Sequence, residues 1–230
     1  RPMIFDCNDR PGIMLSSAVR KYLNHYGVKC GNNVVIFSNN DDAYETALSL
    51  HNKGVKIKAI IDIRKESQGD LVKKCIDQGI KVMWKHTIVK AEGHKKINAS
   101  IVMKLSNDNN SVMGDKIKIS CDLLCVSSGY TPAVHLFTQS GGKLTFDEKK
   151  FYFYPGKTTL DQLSVGACAG IFNLKKIIQD TYTRVNAFLK TNIKNETVVT
   201  DYKSGGFDNI WLLPSNKISG KTKSFVDFQN

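Results

Sequence analysis

The hydrophobic positions of the chain follow two different periods, and their order predicts an α/β fold. Residues 13–26 carry apolar side chains at helical spacing, so we expect a helix there. The next stretch alternates between short apolar runs and further helical patterns. It contains predicted strands over 33–37, 55–63 and 80–84 and predicted helices over 41–51 and 70–78. Because strands that alternate with helices are joined by right-handed crossovers, the pattern predicts a parallel, Rossmann-like sheet.

After the third of these strands the pattern changes to strict alternation. Three segments, 87–92, 99–105 and 116–120, alternate apolar with polar residues and are separated by turn-forming residues. They predict an antiparallel β-meander of three strands. The run from Leu123 to Val126 is continuously apolar, which is typical of a parallel strand buried on both faces. A last helix is predicted over 174–189.

The end of the strand Leu123 to Val126 is the first candidate for a ligand contact. Ser127, Ser128 and Gly129 follow it directly. Nucleotides bind at the carboxyl ends of the strands in sheets of this kind, and a glycine lets the backbone approach a ligand closely. Gly129 is therefore a candidate cofactor contact. An ordinary buried strand followed by a turn is the alternative interpretation.

The turn after the first predicted strand of the 33–84 stretch should hold the phosphates of a dinucleotide. Such a turn is normally rich in glycine, so that backbone amides can surround a pyrophosphate. Here the motif Gly-x-Gly-x-x-Gly/Ala aligns with Ser38, Asn40 and Ala43, and only the alanine is a permitted substitute. Asn39 and Asn40 are the candidate cofactor contacts, whereas the two aspartates that follow them would repel a pyrophosphate. The sequence thus predicts a dinucleotide scaffold with a degenerate site.

Asp62 ends the second strand of that stretch, 19 residues after Ala43. An acid in this position binds the ribose hydroxyls in dinucleotide-binding folds. Because the glycines are missing, a surface charge that simply ends a strand is the favoured alternative. The five histidines are scattered and no nucleophile motif accompanies them, so no catalytic residue is predicted.

Composition narrows the class of protein. The 230 residues provide for one large domain or two small ones, and no apolar run reaches the length needed to span a bilayer, so no membrane partner is expected. The six cysteines contain no C-x-x-C pair. Cys121 and Cys125 would lie roughly 13 Å apart on a strand, too far for a disulfide. Free thiols in a reducing cytoplasm fit this pattern best.

The net charge of +12 raises the question of nucleic-acid binding. Only five of the 33 basic residues are arginine, and the lysines are spread over the full length. A nucleic-acid interface normally concentrates its basic residues in a patch or stripe. We therefore expect a small-molecule protein without a nucleic-acid partner.

Several long motifs resemble a known family. They are NDRPGIMLSSAVRKYLNHYGV (8–28), FSNNDDAYETAL (37–48), CDLLCVSSGYTPAVHLFTQSGGKL (121–144), SVGACAG (164–170) and SFVDFQN (224–230). Together they closely resemble the alpha subunit of bacterial heterotetrameric sarcosine oxidase. That subunit is much longer than this chain, so the resemblance implies an internal fragment.

The resemblance also implies a division into domains and completes the predicted fold class. Residues 1–12 would be a connecting segment, and 13–130 an inserted pyridine-nucleotide-type α/β domain. Residues 131–190 would be the C-terminal part of an interrupted flavoprotein-like dinucleotide domain. Residues 191–230 would start the linker toward a folate-binding domain outside this sequence. The expected fold is therefore that of a flavoprotein with two dinucleotide domains.

The family's chemistry is the oxidative demethylation of sarcosine, a small amine. It gives glycine, hydrogen peroxide and either formaldehyde or methylene-tetrahydrofolate. The resemblance implies a hetero-oligomer in which the beta subunit holds FAD and the substrate, FMN lies between alpha and beta, and alpha binds NAD. By analogy, Gly129, Gly166 and Ala167 would approach a dinucleotide held mainly by an upstream domain. Related flavoproteins carry a Gly-Asp pair where this chain has Gly166-Ala167, so the acid that binds a ribityl or ribose hydroxyl is missing.

Two other functions remain open from the sequence. One is the alpha subunit of a related opine or cyanide-forming flavin dehydrogenase, which shares the two-domain architecture. The other is a non-enzymatic interaction module whose nucleotide site has decayed. The carboxylates of Asp41 and Asp42 in the phosphate-binding turn are the main evidence for this last hypothesis.

Overall fold

The chain divides into two units. The first consists of residues 1–129 together with 203–229, and the second of residues 130–202. The computed structural model describes residues 1–194, 203, 206–208, 210–214 and 223–226.

The first unit is a parallel sheet with helices on one face and a meander on the other. In chain order its elements are β1 (Ile13–Leu15), α1 (Ser16–Tyr26), β2 (Asn33–Ser38), α2 (Asp42–His51), β3 (Lys56–Asp62), α3 (Asp70–Asp77), β4 (Val82–Trp84), β5 (His86–Gly93), β6 (Ile97–Leu105), β7 (Val112–Ser120) and β8 (Leu123–Ser127). The five-stranded sheet has the order β1-β8-β2-β3-β4, and all its pairings are parallel. The predicted β-α-β-α-β order and parallel sheet are thus confirmed.

Successive residues in the middle of β2 point to opposite cores, which explains why residues 34–37 are continuously apolar. Val34 and Ile36 pack with α1, α2 and α3. Val35 and Phe37 pack with the meander strands, for example against Ile88. Both faces of the strand are therefore dry, and neither can carry polar residues without cost.

The prediction of one helix over residues 13–26 is wrong at its start. Ile13, Met14 and Leu15 form β1, which pairs in parallel with β8, and the helix begins only at Ser16. Three apolar residues in a row satisfy both a helical face and a short buried strand. The pairing with β8 decides between them, and β8 becomes an interior strand with β1 on one side and β2 on the other.

The predicted meander is confirmed. Strands β5, β6 and β7 form a three-stranded antiparallel sheet in chain order. Its buried side chains, Ile88, Ala91, Ile97 and Val102 among them, cover the face of the parallel sheet opposite the helices.

The second unit contains the remaining elements. They are α4 (His135–Gln139), β9 (Leu144–Asp147), β10 (Tyr152–Pro155), a 3-10 turn (Gly166–Ala169) and α5 (Leu174–Leu189). Strands β9 and β10 form an antiparallel hairpin. The predicted helix over 174–189 is confirmed with the same bounds. It begins where the Asn173 side chain accepts a hydrogen bond from the Lys176 backbone N–H at 3.0 Å.

Most of the predicted linker, 191–230, lies outside the described residues. The described residues from 203 onward, called the tail below, belong to the first unit and include the short apolar run 210–213. Leu213 is buried in the core between the sheet and the meander, and Ile210 packs against the same core. The Ile4 backbone N–H donates to the Trp211 carbonyl at 2.8 Å, so the start of the chain and this part of the tail lie side by side.

Candidate functional site

The carboxyl ends of β2 and β8 lie next to each other and carry the predicted dinucleotide turn. In the sheet register, Ser38 at the end of β2 is opposite Ser127 on one side and Asp62 on the other. Asn39 and Asn40 follow Ser38 and are buried, with 0% and 7% of their surface exposed. The predicted contacts Asn39, Asn40 and Asp62 are therefore brought to one sheet edge.

Asn40 is held by hydrogen bonds on both atoms of its amide. Its Oδ1 accepts from the Asp42 backbone N–H, the first of α2, at 3.0 Å and from the Ser127 hydroxyl at 3.2 Å. Its Nδ2 donates to Asn39 Oδ1 at 2.8 Å and to the Ser127 carbonyl at 3.1 Å. The side chain therefore ties the helix start to β8 and uses a helix amide that a phosphate could otherwise accept from.

Part of the tail crosses the same edge. Asn39 donates from Nδ2 to the Asp208 carbonyl at 2.7 Å, and its own carbonyl accepts from the Asp208 N–H at 3.0 Å. Asn40 and Phe207 form an antiparallel bridge. The Trp211 indole N–H donates to the Ser128 carbonyl at 2.8 Å, so the tail is fixed to the ends of both strands.

Gly129, the predicted contact beyond β8, faces the ring of Phe207. Its φ is +85°, a conformation that favours glycine. A Cβ atom added there would lie 2.5 Å from Cε2 of Phe207. The absence of a side chain at Gly129 thus lets an aromatic ring from the same chain approach. Whether Gly129 also contacts a cofactor stays a prediction.

Asp62 is not a surface charge, so the favoured alternative for this residue is wrong. It is completely buried and accepts hydrogen bonds from the Tyr44 hydroxyl at 2.7 Å and from Arg64 Nη2 at 2.7 Å. Burial raises the pKa of Asp62, while the hydrogen bonds from Arg64 and Tyr44 oppose this rise. Burial and then the neighbouring carboxylate raise the pKa of Tyr44 as well.

Arg64 connects the end of β3, the turn before α2 and the tail. Besides Asp62 it contacts Asp41, with Nη1 to Oδ1 at 2.7 Å, and it donates to the Gly206 carbonyl at 2.9 Å. Only 7% of its side chain is exposed. Burial alone would lower the pKa of Arg64. The two carboxylates raise it by a larger amount, so the pKa lies above its ordinary value. Arg64 is therefore a permanent cation that compensates two buried carboxylates.

The two aspartates of the turn are each paired with an arginine. Asp41 binds Arg64, as described, and also accepts from the Ser67 hydroxyl at 3.0 Å. Asp42 binds Arg20, with Nη2 to Oδ1 at 2.9 Å. Their negative charges are thus balanced within the protein, and the expected repulsion of a pyrophosphate is weaker than the sequence alone implies.

Gly166 and Ala167 lie in the second unit, in the 3-10 turn that precedes α5. Gly166 is buried and Ala167 is exposed. The φ of Gly166 is +62°, and a Cβ added there would lie 3.0 Å from Cγ2 of Ile177 on α5. The backbone of this turn therefore packs closely on the helix. Its role toward a cofactor stays a prediction.

Sequence reasoning missed Arg64, Tyr44, Phe207 and Trp211. Arg64 had a usable signal, because it is one of five arginines and stands two residues after an acid that ends an apolar strand. Tyr44 is in the first turn of α2 and gave no sign that its hydroxyl is buried. Phe207 lies between glycines and polar residues, and Trp211 lies in an apolar run of only four residues, which is too short to show a period. Within the described ranges, no group of three or more His, Cys, Asp or Glu side chains could hold a metal ion.

In the part of the chain that the structure describes, no helix is long and apolar enough to cross a membrane. The same part contains free cysteines at all six positions, of which Cys75, Cys121 and Cys125 are buried and Cys168 is exposed.

Comparison with known sequences supports the predicted resemblance. No protein-family model matches the chain. The sarcosine oxidase subunit alpha of Corynebacterium sp. strain P-1 is 32% identical over 239 residues, covering 100% of this chain and 24% of that subunit. The subunit alpha of Rhizobium meliloti is 31% identical over 238 residues, covering 100% and 22%. The chain thus spans about a quarter of the length of these relatives, and the predicted resemblance is confirmed.

Solved structures confirm the fold class. Thioredoxin reductase of Lactococcus lactis matches with a TM-score of 0.61 and 14% identity, over 83% of this chain and 62% of that chain. The HOCl-induced flavoprotein disulfide reductase RclA of Escherichia coli matches with a TM-score of 0.58 and 19% identity, over 84% and 42%. L-proline dehydrogenase of P. horikoshii matches with a TM-score of 0.52 and 16% identity, over 84% and 33%. The chain therefore has a Rossmann-type α/β fold.

Proposed function

Because the chain is related along its whole length to sarcosine oxidase alpha subunits, we propose that it works as a cofactor scaffold within such a subunit. The reaction of the whole enzyme is the oxidative demethylation of sarcosine to glycine, with hydrogen peroxide and either formaldehyde or methylene-tetrahydrofolate as further products. The observation that carries this proposal is the identity of 31–32% over the full chain. It is supported by the shared fold of flavoprotein oxidoreductases.

The scaffold role is supported by the contacts that the polar residues of the sheet edge make within the chain. Asp41, Asp42 and Asp62 each bind an arginine of this chain, and the Asn40 amide is bound to neighbouring protein groups. These groups hold elements in place. In our proposal the reacting atoms therefore belong to the other parts of the enzyme, with FAD and the amine on a beta subunit and FMN between alpha and beta.

The second unit is proposed to close a dinucleotide domain whose other part belongs to the longer subunit. Helix α5 has no buried residue, although it carries Leu174, Phe188 and Leu189. A helix with large exposed apolar side chains is completed by burying them. In this proposal the backbone of Gly166 and Ala167 lies near NAD held by that domain, and residues beyond the tail lead to a tetrahydrofolate-binding domain.

The test is an activity measurement on the assembled enzyme. The intact polypeptide that carries this chain is produced together with its candidate partner subunits, and the complex is purified with its flavins. We expect peroxide formation that depends on sarcosine, and replacement of formaldehyde by methylene-tetrahydrofolate when tetrahydrofolate is added. Glycine and an opine serve as control substrates.

The same measurement distinguishes the alternatives. Oxidation of the opine, or cyanide formation from glycine, without turnover of sarcosine would assign the chain to the related dehydrogenases. A flavin-loaded complex that turns over none of these amines would contradict both enzyme hypotheses.

A further inference from the structure

The edge between β2 and β8 is the place where this fold class binds a dinucleotide. In an open parallel sheet the ligand occupies the crevice at the carboxyl ends of the strands, where the strand order reverses. In the order β1-β8-β2-β3-β4 the chain proceeds from β2 through β3 to β4 on one side and returns to β8 on the other. The reversal therefore lies between Ser38 and Ser127, which are register partners.

Three backbone amides that could donate to a pyrophosphate at this place already have acceptors within the protein. The first amide of α2, that of Asp42, donates to Asn40 Oδ1. The Asn39 amide donates to the Ser127 carbonyl at 3.3 Å, and the Asn40 amide donates to the Ser38 hydroxyl at 3.0 Å. A phosphate would have to replace protein acceptors that already satisfy these donors. The turn does not fit a dinucleotide in this arrangement.

The space above the turn is filled by the tail. Residues 206–208, 210 and 211 are called the edge strap below. The strap is bound at the end of β3 through the Gly206 carbonyl and Arg64, and in the middle through Asp208 and Asn39. At the end of β8 it is bound through the Trp211 indole and the Ser128 carbonyl.

The strap places an aromatic ring against Gly129, where a bound ligand would otherwise contact the backbone. Phe207 lies directly against Gly129, and its ring centroid is 5.8 Å from that of Trp211. Under this cover Asn39 and Ser128 have no exposed surface, and Ser127 has 7%. Gly129, the predicted cofactor contact, thus leaves room for the Phe207 ring of the same chain.

We infer that the edge strap is the permanent occupant of the dinucleotide position of the first unit. This edge is a joint that anchors the tail on the sheet. Resting on the proposed function, the inference assigns the NAD of the enzyme to another place. The Asn-Asn-Asp-Asp turn then has a structural role, which is to bind the strap and the start of α2. Asn39 pairs with strap backbone, Asn40 caps the helix start, and Asp41 holds the arginine that binds the strap.

The inference is tested by peptide-resolved hydrogen exchange on the intact polypeptide, with and without saturating NAD. The amides of Asn39, Asn40 and Asp42 are the reporters, because their acceptors lie within the joint. We expect NAD to change their exchange less than about 2-fold. Protection of these amides by 10-fold or more upon NAD addition, together with faster exchange in the strap, would overturn the inference.

Two substitutions test the role of the ring. Phe207→Ala is expected to speed exchange of the reporter amides at least 10-fold, whereas Tyr26→Ala, at an aromatic residue that is 58% exposed on α1, should leave them unchanged. Gly129→Ala should also speed exchange, because its Cβ collides with the ring. Added to Phe207→Ala it should have a much smaller effect. Equal effects of Gly129→Ala in both backgrounds would show that the ring does not close this edge.

These readouts do not depend on turnover. A complex without sarcosine activity would contradict the proposed function and leave the exchange results interpretable. Conversely, protection of the reporter amides by NAD in an active enzyme would agree with the proposed function but overturn the inference that the edge is closed.

Discussion

The substitution Arg64→Ala probes the arrangement on which the candidate site depends. The guanidinium contacts Asp62 and Asp41 at 2.7 Å each, and Asp62 has no exposed surface. Removing it leaves two carboxylates at a dry sheet edge without their cation. Asp62 would keep the Tyr44 hydroxyl and one backbone amide as donors.

The expected loss of stability follows from the burial of the Arg64–Asp62 pair. Removing one partner of a buried ion pair costs about 3–5 kcal/mol, because the other charge is left uncompensated. The remaining donors to Asp62 place the expected loss for Arg64→Ala near the lower end, about 3 kcal/mol. Since a domain is stable by only about 5–15 kcal/mol, this is a large fraction of the total.

Urea unfolding followed by tryptophan fluorescence measures this loss. The chain has two tryptophans, Trp84 and Trp211, and both belong to the first unit. Their signal therefore reports the unit that contains Arg64. Lys118→Ala is the control, because the Lys118–Glu92 pair is 60% and 37% exposed. An exposed pair contributes about 0–1 kcal/mol, so the control should unfold almost like the unmodified chain.

The loss should also depend on pH. Burial already raises the pKa of Asp62, and loss of the guanidinium removes the main opposing interaction. A carboxyl whose folded-state pKa lies above its unfolded-state value favours the folded state when it is protonated. The deficit of Arg64→Ala should therefore be full at neutral pH and shrink as the pH falls through the folded-state pKa of Asp62. A deficit below about 1 kcal/mol at neutral pH, equal to that of the surface control, would refute the reasoning.

Two further predictions concern backbone geometry and thiol reactivity. Gly93→Ala should cost at least about 3 kcal/mol in urea unfolding, because its Cβ would lie 1.9 Å from the Lys96 carbonyl oxygen. Gly114→Ala should cost only about 1 kcal/mol for its positive φ, because no atom of the described residues lies within 4 Å of the added Cβ. Equal costs of the two substitutions would contradict this. In the folded protein iodoacetamide should label Cys168, which is exposed, and not Cys75, because burial raises the pKa of Cys75 to about 12 and leaves about one thiolate in ten thousand at pH 8. Peptide mass mapping before and after unfolding checks this, and equal labelling in the folded state would contradict it.

The parallel sheet could be predicted from the sequence because its strands are dry on both faces. The middle of a strand such as β2 is flanked by a helix core and a meander core, so residues 34–37 are all apolar and the run stands out. The helices between the strands bury only one face and therefore show their period clearly. The helix prediction fails at residues 13–15, because a three-residue strand has no period of its own and only its pairing with β8 defines it.

The joint at the sheet edge could not be predicted, for a different physical reason. Asn39 and Asp208 are separated by 169 residues, and their hydrogen bonds use backbone carbonyls, which every sequence provides. A polar turn that binds backbone therefore has the same sequence signature as a degenerate phosphate loop. The distinguishing residue is Arg64, because a cation two residues after a buried acid cannot be left without partners in a dry edge. Its two carboxylates lie on β3 and before α2, and its third contact is the tail. The charge balance of the edge and the position of the tail are thus one structural property. It depends on Asp41, which stands in the turn where a dinucleotide site would place a phosphate.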